Sequence, residues 1–94
     1  MDPKAITVDG IELSARPDMA DDYDVVEAVA VCSDPDAPEY AKTCATVRMY
    51  RALLGGDYDR VKAELRERNG GKLPVSAMID FMAKVMSAMG EAKN

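Results

Sequence analysis

Residues 76–89 read Ser-Ala-Met-Ile-Asp-Phe-Met-Ala-Lys-Val-Met-Ser-Ala-Met, the strongest structural signal in this chain of 94 residues. Four of the seven methionines fall in this stretch, at positions 78, 82, 86 and 89. Because a helix turns by about 100° per residue, its apolar side chains lie together on one face of a predicted helix. Together with Val75, just before the stretch, they cover an arc of about 160° from Phe81 to Ile79, wider than the roughly 100° that a helix packed on one side of a core requires.

The width of this arc has two interpretations. In one, the helix is deeply buried in a core poor in aromatic residues, since the chain has no Trp and one Phe. In the other, one edge of the arc stays exposed, where unbranched and polarizable Met side chains adapt to varied partner surfaces. Both interpretations hold if Met78 and Met82 lie at the centre of the buried face and Phe81 or Met86 lies at its margin. We predict partner binding at seven positions: Tyr58, Met78, Phe81, Met82, Val85, Met86 and Met89.

Upstream, turn and capping residues predict two further helices. One spans 57–69, with Asp57 as its N-cap and Gly70-Gly71 after its end. The other spans 37–54, opened by a capping box of Asp36 and Glu39 and closed by a C-cap at Gly55. Its expected inward face is Tyr40, Cys44, Val47, Tyr50 and Leu54. Ser76 is the expected cap of the last helix, over 76–89.

The N-terminal part predicts a first helix and a β-hairpin. Asp21, Asp22 and Asp24 suit the start of a helix over 21–32, with an apolar stripe of Val25, Val26, Val29 and Cys32. The valines also permit a buried strand. Asp9-Gly10 predicts a type I′ turn in a hairpin over about 5–14. A lone hairpin is marginally stable, so it must pack on the helices or pair with another chain. The whole predicts one α+β domain over 1–94, a hairpin followed by a small bundle of about four helices.

Charge is divided unevenly along the chain. Residues 1–40 hold eleven acids and two bases, a balance of −9, and residues 41–94 hold ten bases and six acids, a balance of +4; together they give the net charge of −5. This division fits either solvated helix faces or head-to-tail stacking of an acidic half on a basic half. An acidic chain argues against binding to nucleic acid.

The side-chain inventory argues against an enzyme. There is no His, so the commonest general base and metal ligand is absent. Cys32 and Cys44 are too far apart in the predicted helix pair for a disulfide and are interpreted as small core residues. The acids at 18, 21, 22 and 24 are interpreted as helix-start residues rather than ligands of a cation. We expect no metal, no cofactor and no membrane segment, and a location in the cytoplasm, since no apolar run resembles a signal or a span.

The sequence resembles the tail assembly chaperones of long-tailed phages and prophages. The resemblance rests on Leu53-Leu54-Gly55, Tyr58, Leu65, Gly70-Gly71 and the Met-Ile-x-Phe-Met helix, with Val8-Asp9-Gly10 and the run 21–27 upstream. It implies a protein that coats the tape-measure protein, keeps it soluble, helps recruit tail-tube subunits and self-associates. It implies no cofactor and no catalytic residues.

Two other classes remain open on the sequence. One is a phage structural component, such as a head–tail connector or a minor tail protein, which would remain in the virion. The other is a small acidic regulator that mimics DNA, although such mimics carry denser negative charge than a chain with a +4 half.

Overall fold

The computed structural model describes the backbone of residues 4–15 and 21–93, and the side chains of 5–14 and 21–89. Two antiparallel strands precede the helices, and this confirms the α+β class. In chain order the elements are β1 (Lys4–Val8), β2 (Ile11–Ala15), α1 (Tyr23–Ser33), α2 (Glu39–Leu54), a 3-10 turn (Gly55–Asp57), α3 (Tyr58–Arg68) and α4 (Val75–Lys93).

The expectation of about four helices is not confirmed as stated. The 3-10 turn joins α2 to α3 with no non-helical residue between them, so helical backbone forms three uninterrupted stretches in the described ranges. Gly55 nevertheless caps α2 as predicted, with φ of 54° and its N–H donating to the carbonyl oxygen of Arg51. This positive φ, which suits glycine, lets the chain change direction there.

Two predicted helix starts are wrong. Pro38 occupies the cap position of α2 and makes no side-chain cap, so Asp36 stands too early for a capping box; its N–H instead donates to Asp34 Oδ1 at 2.9 Å. α4 begins at Val75, so Ser76 lies inside its first turn rather than before it. In both places the proline sets the boundary, because its fixed φ suits a position at or just before a helix start.

The hairpin forms with the predicted two-residue turn. Asp9 and Gly10 have φ of 51° and 81°, and Val8 pairs directly with Ile11. Positive φ at both turn positions matches the twist of the strands. One face of the hairpin enters the core, through the buried side chains of Val8, Ile11 and Leu13 and the partly buried Ile6. The hairpin therefore packs on this chain's own helices, one of the two expected outcomes.

Helix side chains also hold the hairpin by polar contacts. Asp57 takes the N-cap position of α3, but its carboxylate makes no cap hydrogen bond. Asp57 Oδ2 instead accepts from the Ser14 N–H at 2.8 Å, and Oδ1 accepts from Arg60 Nη2 at 3.1 Å. Arg60 also donates to the Glu12 carbonyl oxygen, so one ion pair bonds two backbone groups on the outer edge of β2. The predicted cap residue thus joins the hairpin to α3.

These contacts predict an acid-sensitive contribution of Asp57. The Ser14 N–H and the Arg60 guanidinium hold the pKa of Asp57 below its ordinary value. A lowered folded-state pKa adds stability above the unfolded-state value of about 3.9, and that stability is lost as the pH falls through the folded-state pKa. We expect Asp57→Asn to lower the free energy of unfolding by about 1 kcal/mol at pH 7. In urea titrations the gap to wild type should stay constant down to about pH 5 and close below about pH 4; a gap unchanged at pH 2 would contradict the assignment.

The core lies between the hairpin and the last three helices. Its buried members are Val8, Ile11, Leu13, Leu53, Leu54, Val61, Leu65, Phe81, Met82 and Val85. Helix α1 stands outside this cluster and packs mainly on α2, where Val25, Ala28 and Ala45 are buried. The helices therefore do not share one bundle core: α2 contacts α1 along its length and enters the main core only at its C-terminal end.

The predicted inward face of α2 is largely wrong. Tyr40 and Cys44 are exposed and Val47 is half-exposed, whereas Leu54 is buried and Tyr50 partly buried. The reason is that α1 and α2 meet through the small side chains Ala28 and Ala45, which a search for large apolar residues passes over. The stripe predicted on α1 is only partly right: Val25 is buried and Cys32 half-buried, but Val26 and Val29 are half-exposed.

The two thiols differ in accessibility. Both cysteines are free; Cys32 is half-buried, with Sγ 3.6 Å from the Lys42 carbonyl oxygen and 3.4 Å from Thr46 Oγ1, whereas Cys44 is exposed and is not a core residue. We expect Cys44 to react first with an aromatic disulfide reagent, because access governs thiol exchange. Cys44→Ser should remove the fast phase and Cys32→Ser should keep it. A single shared rate in the wild-type protein would contradict this assignment.

Among the described residues, no helix is long and apolar enough to cross a membrane.

Candidate functional site

The structure divides the seven predicted binding residues into three groups. Phe81, Met82 and Val85 are buried in the core, with Met82 fully inaccessible. Tyr58, Met78 and Met89 are partly buried and pack against that core. Met86 alone among the seven is exposed, at 41%. The core members offer no accessible side-chain surface, so the binding role stays a prediction for the other four positions only.

One edge of the Met-rich arc is exposed. Val75, Ile79 and Met86 each leave at least two-fifths of their surface accessible. They follow one another along α4 on the side that adjoins the buried Met82. The opposite edge, which contains Phe81 and Val85, is buried. The arc is thus both core and surface, with Phe81 on the buried margin and Met86 on the exposed one.

The exposed edge borders an apolar groove, here called the α2–α4 groove. It is a cavity of about 290 Å³ between the middle of α2, the start of α3 and the start of α4. It brings together two predicted residues, Tyr58 and Met78, with eight others: Thr43, Thr46, Val47, Tyr50, Lys62, Leu73, Val75 and Ile79. These residues come from three parts of the chain that meet only in the folded protein: α2, the start of α3 after the 3-10 turn, and the segment from Leu73 into α4.

Cations surround the aromatic side of the groove. Lys62 Nζ lies 4.6 Å from the centre of the Tyr58 ring, and Arg51 Cζ lies 5.9 Å from it. Both distances are within the range of cation–π attraction. Lys62 also pairs with Asp59 at 3.8 Å, but Asp59 is itself almost wholly exposed. Tyr58 is therefore fixed by packing below and by cations beside it, and the rim of the groove is positive there.

Tyr50 forms the wall toward α1. Burial raises the pKa of the Tyr50 phenol, and the Cys32 thiol raises it further. Cys32 contacts Thr46, another groove residue, so the end of α1 lies beside this wall. Tyr50 is consequently neutral at physiological pH and presents an apolar ring with a single hydroxyl.

Sequence reasoning assigned only two of the ten groove residues, Tyr58 and Met78, to a binding site. Val47 and Tyr50 were assigned to the core of α2, and Leu73 was not assigned at all. Val75 and Ile79 were included in the arc but not among the predicted binding residues. A usable signal was present: Val75 and Ile79 stand at i and i+4, and Val47 and Tyr50 at i and i+3, the spacing of neighbours on a helix face. What the spacing does not show is which of these faces remains uncovered.

The groove has the chemistry of a contact surface. Its walls are aliphatic, thioether and aromatic groups, with two threonine hydroxyls and one ammonium group at the rim. Such a site binds apolar side chains by excluding water. In the described ranges, no three His, Cys, Asp or Glu side chains come close enough together to hold a metal ion.

Comparison with known proteins places no constraint on these interpretations. No family model matches the chain, and searches of curated proteins and of solved structures gave no match.

Proposed function

We propose that this protein is a non-catalytic tail assembly chaperone of a long-tailed phage or prophage, which binds apolar helical segments of the tape-measure protein in the α2–α4 groove. The observation that carries the proposal is an accessible apolar groove on a small acidic domain, lined in part by the exposed side chains of Val75 and Ile79. The motif resemblance, which spans both the hairpin and the helices, supplies the biological setting. The proposed place of action is the cytoplasm of the bacterial host.

A helix is the partner that this groove suits. Two helices, α2 and α4, border it, and an amphipathic helix laid between them inserts side chains at i, i+3 or i+4, and i+7. The volume, about 290 Å³, lies at the lower limit of the roughly 300–1,000 Å³ typical of small-molecule pockets. Binding through a few inserted side chains remains reversible, as a chaperone requires, and recruitment of tail-tube subunits would follow from the bound complex.

Adaptability of the surface also supports the proposal. Met78 and Met86 carry flexible thioether chains that repack against different partners at little cost in strain. A chaperone that covers many segments of one long protein needs this tolerance more than it needs tight complementarity. A permanent connector would instead be expected to bury a larger and more rigid apolar face.

The direct test is co-expression with the long helical protein encoded immediately downstream, followed by size-exclusion chromatography. We expect that protein to be insoluble alone and to elute with this chain as a soluble complex. Mature virions should then lack this chain. Co-elution combined with its permanent presence in virions would favour the structural-component alternative. Failure to co-elute would overturn the chaperone proposal.

A further inference from the structure

The outer face of α1 is an apolar surface that this chain does not cover. Tyr23 is 77% exposed, Val26 47% and Val29 45%. At 100° per residue these three side chains span an arc of about 120°, which begins with Val29 beside the buried Val25 and ends with Tyr23 on the far side of the helix. An amphipathic helix normally turns such a face toward a core. This helix has one face on α2 and a second apolar face toward solvent.

Acidic side chains surround that outer face. Glu27 adjoins it on the helix, Asp21 and Asp24 lie at its N-terminal end, and Asp34 and Asp36 lie at its C-terminal end. Within the described residues, only Glu27 of these five has an ion-pair partner, Arg48 at 3.9 Å. The outer face of α1 therefore combines apolar contact area with negative charge that is largely uncompensated.

The α2–α4 groove has the complementary character. Its centre is apolar, and its cations are Lys62 in the wall, Arg51 beside Tyr58, and Lys72 directly before Leu73. In the described part of the chain, neither Arg51 nor Lys72 has an ion-pair partner. Six of the eight large apolar side chains that the structure leaves exposed belong to these two surfaces: Tyr23, Val26, Val29, Val47, Val75 and Ile79.

We propose that the outer face of α1 of one molecule docks into the α2–α4 groove of a second copy of this chain. The apolar stripe of α1 fills the groove, and its acidic ends meet the basic rim, so shape, hydrophobicity and charge agree. The two surfaces belong to different faces of the molecule, so the contact is heterologous and repeats. Because it can repeat from copy to copy, we expect it to build open chains or rings.

The inference stands on the two surfaces and does not require the proposed function. If both hold, a partner helix and α1 of a second copy compete for one groove. Self-association then covers the apolar groove until a partner displaces the neighbouring copy.

The test is sedimentation velocity on the full-length protein over a range of concentrations. Wild type should form a concentration-dependent series of oligomers, and raising the salt from about 0.05 M to about 0.5 M should weaken it, since rim charges are screened. Val26→Glu damages only the helix surface and Ile79→Asp only the groove. Each should weaken association at least about tenfold, because each places a carboxylate in the apolar contact. Ala83→Asp, an exposed change on α4 outside the groove, should associate as wild type does.

Mixing the two defective variants identifies the mode of contact. Ile79→Asp retains an intact α1 surface and Val26→Glu retains an intact groove, so an equimolar mixture should form a heterodimer and stop there. If either variant loses its helical circular dichroism, Tyr23→Ser and Val75→Ser replace the pair, since both side chains are 75% exposed or more. A wild-type protein that stays monomeric to about 1 mM overturns the inference, as does association unaffected by either variant. A mixture that shows no heterodimer also overturns it.

The same variants separate the two proposals. Val26→Glu leaves the groove intact and should still solubilise the downstream partner. Loss of self-association with retained capture supports both proposals. If the wild-type protein does not capture the downstream partner but the two defective variants still form their heterodimer, only the proposed function is overturned.

Discussion

Met82→Asp is expected to unfold this protein, whereas Met86→Asp, four residues further along the same helix, is expected to leave it folded. Met82 is 0% exposed and Met86 41% exposed. Truncating a buried methionine costs about 2–5 kcal/mol through lost burial and a residual cavity. A carboxylate in its place adds a desolvation cost of several kcal/mol, because the surrounding core cluster offers only apolar side chains.

These two costs of Met82→Asp together approach the whole free energy of unfolding of a domain of this size, roughly 5–14 kcal/mol. Far-ultraviolet circular dichroism and urea titration at neutral pH provide the measurement. Met82→Asp should lose its cooperative transition, and Met86→Asp should shift the free energy of unfolding by about 0.5 kcal/mol or less, as surface substitutions do. A Met82→Asp variant with wild-type stability would show that this face of α4 is not part of the core.

Ile79→Asp is expected to abolish capture of the partner in the co-expression test while leaving the fold intact. Ile79 is half-exposed and lines the groove, so a carboxylate there stays partly hydrated in the free protein and is desolvated only in the complex. A penalty of about 3 kcal/mol would lower affinity about 100-fold, comparable to loss of a strong interface residue.

Ala83→Asp is the matched control, because it places the same residue type on an exposed position of the same helix. It adds the same charge without touching the groove, and it loses more helix propensity than Ile79→Asp does, so it is a stringent control for effects on the helix. The partner should remain soluble with Ala83→Asp and precipitate with Ile79→Asp. Equal capture by both variants would show that the groove does not bind the partner, and Met86 and Met89 would then be the next positions to test.

The hairpin shows where local sequence was enough. Asp9-Gly10 needs no distant residue to specify a tight turn, and the alternation of Ile6, Val8, Ile11 and Leu13 marks the core face directly. The presence of helices followed from the same kind of local signal, because Gly55, Gly70 and Pro74 mark helix boundaries whatever the helices pack against. The boundaries shifted by one or two residues where a proline overrode a side-chain cap.

The choice of faces was different, because a helix with apolar residues on more than one side does not state which side is covered. On α2, contact through Ala28 and Ala45 turned Tyr40, Cys44 and Val47 outward. On α4, the hairpin and α3 covered Phe81, Met82 and Val85 and left Val75, Ile79 and Met86 accessible. Each outcome depends on which segments far apart in the chain come together, since burial is a property of the assembled elements.

The periodicity and turn chemistry of this sequence were thus sufficient for the α+β class and the hairpin turn, whereas the number of separate helices and the starts of α2 and α4 were decided by the structure. The groove was not contained in any one segment. It exists because Tyr50 of α2, Tyr58 after the 3-10 turn and Leu73 before α4 come together in the folded chain. Local backbone preferences act over a few residues and can be recognised in the sequence, whereas an uncovered surface is what remains after all distant contacts have formed.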